Sequence, residues 1–137
     1  MASILEQLKL HEGLKLKPYP DSVGKMTIGI GRNLDDRGIS REEAYQLCAN
    51  DICNVTNQLE QHDWYNQLDT IRKKIITDMG FNLGVPGLLK FKNMIQCIKD
   101  KQYIAAANEM RDSRWHNQVG KRALRLEKMM RTGEDYD

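Results

Sequence analysis

Apolar residues recur every three or four positions along most of this chain, and that spacing predicts amphipathic helices. Ser3 and Ser40 each stand three residues before a glutamate, a pattern typical of the capping box that opens a helix. Gly13 is expected to end the first helix, whereas the second is expected to run for about twenty residues. Further apolar repeats predict helices over residues 68–80, 91–98, 104–110 and 123–130.

Residues 14–31 do not follow the helical pattern. Pro18 and Pro20 exclude a helix, and residues 21–24 (Asp-Ser-Val-Gly) are typical of a turn. Residues 26–30 (Met-Thr-Ile-Gly-Ile) have the composition of a strand. We therefore predict a small β-hairpin, followed by a polar loop.

These elements predict the α+β class and one domain over residues 1–137, divided into two lobes joined by the long second helix. A hairpin lobe is expected at about 13–60, and a mainly helical lobe is expected from 1–12 and 61–137. The chain is 40% hydrophobic and 29% charged, which is the balance of a globular protein rather than a disordered one.

The sequence predicts no stable insertion into a membrane, because no stretch approaches the roughly 20 apolar residues that a membrane helix needs. Glu6 and Lys9 interrupt the apolar residues of the first ten positions, so these positions lack the uncharged core of a signal peptide. We expect the chain to be made and folded in a cytosol.

The cysteines predict buried free thiols, because their number is odd and their spacing fits neither a disulfide framework nor a zinc site; they are Cys48, Cys53 and Cys97. No metal or cofactor is expected, because the histidines are far apart and lack the HExxH spacing; they are His11, His62 and His116. Trp64 and Trp115 adjoin apolar helix positions, which favours core packing over stacking on sugars.

Charge is uneven along the chain. The net charge is +2, but residues 1–60 hold 7 basic and 9 acidic residues, and residues 61–137 hold 14 and 10. The basic cluster near the carboxyl end comprises Arg111, Arg114, Lys121, Arg122, Arg125, Lys128 and Arg131. It indicates either a solvated helix face or a patch that attracts an anionic partner. The low aromatic content argues against a nucleic-acid partner.

Two carboxyl groups and a threonine form the candidate catalytic set. Glu12 ends the first predicted helix, Asp21 follows in the hairpin turn, and Thr27 lies on the next strand. Glycoside hydrolysis uses such a pair, because one protonated carboxyl serves the leaving oxygen and one carboxylate activates water. Apolar neighbours would favour the protonated form of the acid; those near Glu12 are Leu8, Leu14 and Leu16. Surface ion pairing is the alternative, since 19 acidic residues make many such pairs.

The sequence of residues 11–21 and 24–31 closely resembles the corresponding segment of the phage T4-type lysozymes. Their signature is a glutamate, eight residues, an aspartate, five residues and a threonine in a strand that ends in two spaced glycines. Glu12, Asp21 and Thr27 match each spacing. The resemblance continues in residues 68–72, 79–82 and 113–118, in Phe91 and in Arg122.

The resemblance implies a muramidase that cleaves the β-1,4 bond between N-acetylmuramic acid and N-acetylglucosamine in a peptidoglycan glycan strand. It implies that Glu12 is the general acid, that Asp21 is the second carboxylate, and that Thr27 helps to position the attacking water. It further implies inversion at the anomeric carbon. Arg122 is expected to pair with the catalytic glutamate, and the other expected substrate-binding or supporting residues are Phe81 and Asn33.

This chain departs from the family pattern at several positions. Relatives often have histidine after the last strand glycine, where this chain has Arg32. The loop between Gly31 and Ser40 is short, which predicts fewer contacts with saccharide. No binding role is expected for Met94 and Glu109, because the family has small or amide side chains there.

Three functions remain open. A free, monomeric endolysin is favoured, because the chain begins eleven residues before Glu12 and ends soon after the last predicted helix. It would depend on a holin to pass from the host cytoplasm to the periplasm and cell wall. A tail-associated lysozyme used at entry would share the chemistry. A non-catalytic descendant that binds glycan or a partner is disfavoured, because all three members of the catalytic set are present.

Overall fold

The computed structural model describes residues 1–136, which form nine helices and a three-stranded sheet. In chain order the elements are α1 (Ile4–Glu12), β1 (Lys15–Pro20), β2 (Met26–Gly29), β3 (Arg32–Asn33), α2 (Arg41–Leu59), α3 (Asp63–Asn66), α4 (Thr70–Leu83), α5 (Val85–Leu88), α6 (Lys92–Lys99), α7 (Tyr103–Arg111), α8 (Arg114–Val119) and α9 (Lys121–Thr132). The expected α+β class is confirmed, with a small sheet and a larger helical part.

Both predicted capping boxes are present. The backbone N–H of Glu6 donates to Ser3 Oγ (3.1 Å), and the backbone N–H of Ser3 donates to a Glu6 carboxylate oxygen (3.2 Å). Glu43 and Ser40 exchange the same two bonds, of 3.1 and 2.8 Å, at the start of α2. Gly13 ends α1 with φ +80°, and its N–H donates to the Lys9 carbonyl oxygen.

The sheet is antiparallel, with the order β1-β2-β3. Pro20 lies opposite Met26, as a hairpin requires. The third strand was not expected, because Asn33 was assigned to the polar loop. Gly29 and Gly31, with φ +70° and +72°, turn the chain back in a left-handed conformation that glycine adopts readily. The backbone after this turn therefore pairs with β2.

Three helices, α3, α5 and α8, were missed and one was misplaced. Helix α4 begins at Thr70, because the side chain of Asp69 accepts a hydrogen bond from the backbone N–H of Arg72. The segment 84–87, expected only as a break, includes most of α5. Helix α8 begins after Ser113, whose Oγ accepts from the N–H of His116 (3.2 Å). All three missed helices, of four to six residues, are too short to show an apolar period.

The chain divides into two compact units, the first Met1–Leu47 and the second beginning at Cys48, within α2. Among residues 1–47, all of which the structure describes, Thr27 alone is buried. Helix α1 belongs to the first unit and has no buried residue. The assignment of residues 1–12 to the helical lobe stays a prediction.

The hydrophobic core of the chain lies in the second unit. Helix α4 contacts α5 and α9, and α7 contacts α6 and α9. Trp64 and Trp115 are buried in this core, as predicted. The largest fully buried side chains are Leu59, Ile75, Ile76, Met79, Leu88, Met94, Met110 and Met130. No helix within residues 1–136 is long and apolar enough to cross a membrane.

The prediction of buried thiols is wrong for two of the three cysteines. Cys48 and Cys53 are exposed, and Cys97 is half-buried against the core; all three are free. The buried residues of α2 are Val55 and Leu59, near its carboxyl end. Cys48 precedes that part of the helix, and Cys53 lies two residues from Val55, on the opposite side of the helix.

Candidate active site

Asp21 is fixed by the turn that joins β1 to β2. Its Oδ1 accepts hydrogen bonds from the backbone N–H groups of Val23 (2.9 Å) and Lys25 (2.8 Å). Its own N–H donates to the Lys25 carbonyl oxygen (2.8 Å). No described residue donates to Oδ2. One carboxylate oxygen therefore anchors the side chain, and the other is available to water or substrate.

Thr27 lies on β2, two residues beyond this turn. Its side chain is 3% exposed, and its Oγ1 donates to the Lys25 carbonyl oxygen (2.9 Å). Asp21 and Thr27 are thus both hydrogen-bonded to Lys25. Because the Thr27 proton is committed to that carbonyl, the Oγ1 lone pairs are left to accept a hydrogen bond.

Glu12 is the last residue of α1, and its side chain packs over Gly31 at the turn between β2 and β3. A Cβ atom on residue 31 would lie 2.8 Å from Glu12 Oε2 and 2.9 Å from Glu12 Cδ. The Gly29–Gly31 turn thereby receives the Glu12 carboxyl group. It lies at the opposite end of β2 from the turn that holds Asp21.

The apolar surroundings expected for Glu12 are not found. Glu12 is exposed, and Leu8, Leu14 and Leu16 are 44%, 48% and 82% exposed. All three leucines are exposed, so they do not enclose the carboxyl group in an apolar pocket. The presence of apolar residues near Glu12 in the sequence did not reveal their exposure, because sequence proximity does not determine the direction of each side chain.

Arg32, noted only as a departure from the family, forms a bidentate ion pair with Glu43 in the first unit. Its guanidinium donates to both carboxylate oxygens of Glu43 (2.8 and 2.6 Å) and to the Gly38 carbonyl oxygen (3.1 Å). These bonds from Arg32, with the backbone bond from Ser40, lower the pKa of Glu43 to about 2. The pair joins β3 to the first turn of α2.

The side chain of Asn33, an expected supporting residue, forms its hydrogen bonds with Asp36 of the loop that follows β3. Its Oδ1 accepts from the backbone N–H of Asp36 (2.9 Å), and its Nδ2 donates to the Asp36 carboxylate (3.0 Å). The Asp36 carboxylate also binds Lys25 Nζ (3.1 Å). The amide of Asn33 therefore holds the loop next to the residue that anchors Asp21 and Thr27.

In the second unit, Phe81 and Arg122 line the same cavity of about 490 Å³. Arg122 Nε donates to Asp78 Oδ1 (2.7 Å), and a terminal nitrogen donates to the Asp78 carbonyl oxygen (3.3 Å). Phe81 is 44% exposed and offers part of its ring to solvent. Sequence reasoning missed Asp78, since no spacing rule links it to Arg122. The pairing of Arg122 with Glu12 stays a prediction.

Residues 79–82 and 113–118, two of the segments that resemble the family, contact each other through Trp115. Trp115 Nε1 donates to Asn82 Oδ1 (2.9 Å), and the Trp115 ring packs edge-on against Phe91. Next to it, His116 Nε2 and Glu127 Oε1 are 2.9 Å apart. Within residues 1–136 no three His, Cys, Asp or Glu side chains are grouped as a metal ion would need.

The phage lysozyme family model matches residues 9–132. Two proteins of Dictyostelium discoideum, probable T4-type lysozymes 1 and 2, are 32% and 30% identical to the chain, covering 97% of it and 96% of each relative. Each of these alignments spans 163 positions, more than the 137 residues of this chain, so the relatives contain segments that it lacks.

The pre-baseplate central spike protein Gp5 of Enterobacteria phage T4 is 27% identical over 96% of the chain, which corresponds to 28% of that longer protein. The match of the family model covers most of the chain and includes all three residues of the catalytic set. The chain therefore belongs to the phage lysozyme family, as a peptidoglycan hydrolase of the muramidase type.

Proposed function

We propose that this chain is an endolysin that hydrolyses the β-1,4 bond between N-acetylmuramic acid and N-acetylglucosamine, and so lyses a bacterial host for phage release. The observation that carries the proposal is the arrangement at the two ends of β2. The Glu12 carboxyl group lies on Gly31 at one end, and Asp21 is held by Lys25 at the other.

In this mechanism the Glu12 carboxyl group is the general acid and gives its proton to the glycosidic oxygen as the bond to the anomeric carbon breaks. A water molecule attacks that carbon and loses a proton to Oδ2 of Asp21, to which no residue of 1–136 donates. Thr27 Oγ1 accepts a hydrogen bond from the same water. The sugar leaves with the proton of Glu12, and the anomeric carbon keeps the hydroxyl group.

The length of β2 supports an inverting reaction. A strand rises about 3.3 Å per residue, so the backbone ends of this four-residue strand are roughly 10 Å apart. Inverting glycosidases place their two carboxyl groups about 6.5–9.5 Å apart, which leaves room for water, whereas retaining enzymes need about 5–5.5 Å. The Glu12 carboxyl group, beside Gly31, and the Asp21 carboxyl group, beside Lys25, lie near opposite ends of β2, which is compatible with the larger separation.

A Glu12→Gln variant tests the acid. We expect the rate of peptidoglycan hydrolysis to fall by at least about 10²–10⁴-fold, the usual contribution of a general acid or base. The assay is the clearing of bacteria whose outer membranes have been permeabilised, together with circular dichroism to show an intact fold. Asp21→Asn should lose activity to a similar extent, because the amide cannot take the proton from water.

Glu42→Gln is the matched control, since it removes one exposed carboxyl group from the first turn of α2 and should clear cells at the rate of the unchanged protein. Full lysis by folded Glu12→Gln protein would refute the mechanism. An unchanged protein that binds peptidoglycan without cleaving it would indicate the glycan-binding descendant instead.

A tail-associated role is the second candidate, favoured by the similarity to the spike protein of phage T4. We propose instead that the enzyme acts as a monomer, is made in the host cytoplasm and reaches the periplasm through a holin. Expression with and without a holin tests this delivery. Lysis only with the holin is expected, and lysis without it would overturn the delivery proposal while leaving the chemistry intact.

A further inference from the structure

Arg32 directly follows Gly31, the turn residue that the Glu12 side chain contacts. Three hydrogen bonds hold the Arg32 guanidinium in place. Its guanidinium forms two parallel bonds to Glu43 and a third to the carbonyl oxygen of Gly38. Such bidentate pairs of arginine and carboxylate fix both the direction and the distance of the two groups. Arg32 is also a strand residue, because it pairs with Ile28 of β2.

Glu43 is itself fixed by the capping box of α2. Its Oε1 accepts the backbone N–H of Ser40 (2.8 Å) in addition to the Arg32 bond, and its own N–H donates to Ser40 Oγ (3.1 Å). One carboxylate therefore serves a helix start and a strand at the same time. A rigid helix end is thereby connected, through Glu43 and Arg32, to Gly31.

We propose that Arg32 and Glu43 are positioning residues for the general acid. The pair holds the turn at Gly31 against the side chain of Glu12, whose Oε2 would lie only 2.8 Å from a Cβ on that residue. This inference rests on the proposed function, because it assigns the pair a role in the hydrolysis. Neither residue contacts the sugar; each acts through the backbone of the turn.

The pair should therefore affect the chemical step more than substrate binding. In a catalytic site, a displacement of about 1 Å can cost on the order of a hundredfold in rate. For Glu43→Gln and for Arg32→Lys we expect kcat to fall roughly ten- to a hundredfold while KM stays within about twofold. Glutamine keeps the helix cap but cannot pair with both guanidinium nitrogens, and lysine keeps the charge but lacks the fork.

Ser40→Ala is the matched control. It removes the other half of the same capping box and so weakens the start of α2, but it leaves the carboxylate of Glu43 on Arg32. All variants are measured with soluble peptidoglycan fragments at a temperature at which circular dichroism shows them folded. We expect Ser40→Ala to keep the kcat of the unchanged protein even if its melting temperature falls.

The double variant Arg32→Lys/Glu43→Gln completes the test. If the two residues act as one unit, the double variant loses no more kcat than the worse of the two single variants. Equal kcat in Glu43→Gln and Ser40→Ala, or additive losses in the double variant, would overturn the inference. Absence of hydrolysis by the unchanged protein would instead refute the proposed function, so the two failures are distinguishable.

Discussion

Gly31 meets two steric requirements at one position. Its φ of +72° lies in the left-handed region, and the Glu12 side chain occupies the space into which a Cβ would project. The signature of the sequence contains this glycine, but its spacing does not state the reason. The reason is tertiary, since the end of α1 meets the turn between β2 and β3 there.

Gly31→Ala should therefore lose both stability and activity. The left-handed conformation alone costs roughly 1–2 kcal/mol for a residue with a Cβ, and the Glu12 carboxyl group must also move. Gly84→Ala is the control, because Gly84 has a similar φ of +78°, lies in the second unit and has no atom closer than 3.9 Å to the added Cβ. Urea unfolding should show similar losses for both variants, whereas kcat should fall only for Gly31→Ala. Equal kcat in the two variants would contradict the contact with Glu12.

At the scale of elements, a charged network connects three helices of the second unit. Glu127 of α9 binds His116 of α8 (2.9 Å) and Arg131 (2.7 Å), and Arg131 donates to Asn108 of α7 (3.0 Å). Burial raises the pKa of Glu127, but the hydrogen bonds from Arg131 and His116 outweigh it, so the pKa is lowered overall. Ionisation of the Glu127 carboxyl group therefore stabilises the folded state relative to the unfolded state.

Glu127→Gln should destabilise the protein by about 1–3 kcal/mol at pH 7, the usual cost of removing a hydrogen-bonded charge from a largely buried site. A carboxyl group whose pKa is lowered on folding contributes its stability above its unfolded pKa of about 4.3 and loses it as pH falls further. The difference in unfolding free energy from the unchanged protein should thus be full at pH 7 and shrink below about pH 4. Glu134→Gln, an exposed change beyond the same helix, should have little effect, and an equal loss there would contradict the network.

At the scale of the whole molecule, the two units differ in how they are stabilised. The first unit buries only Thr27 among its residues, whereas the second contains a continuous apolar core. A domain that folds by itself needs such a core, because burial of apolar surface must offset the loss of chain entropy. The first unit is instead ordered by caps, turns and ion pairs.

We therefore expect a peptide of residues 1–47 to show no cooperative thermal transition by circular dichroism. The full chain is the reference and should unfold cooperatively, because it contains the core of the second unit. A sharp melting transition in the isolated peptide would show that the caps and ion pairs suffice without a core.

Much of the fold could be predicted where the signal was local. Ser3 and Ser40 marked helix starts, because capping needs only a hydroxyl group and a carboxyl group three residues apart. The hairpin followed from its prolines and turn residues. Helix α8 and strand β3 were missed, because six and two residues are too few to display a period.

The sequence by itself determined the family, the α+β class and the hairpin that carries Asp21 and Thr27, because its prolines and turn residues leave the chain few alternatives. Only the tertiary structure decided that Glu12 rests on Gly31, that Arg32 pairs with Glu43 and that Arg122 binds Asp78. It also decided that Cys48 and Cys53 are exposed. The physical reason is common to these cases: contacts between separate elements and the exposure of each helix face depend on how those elements pack, and packing leaves no fixed spacing along the chain.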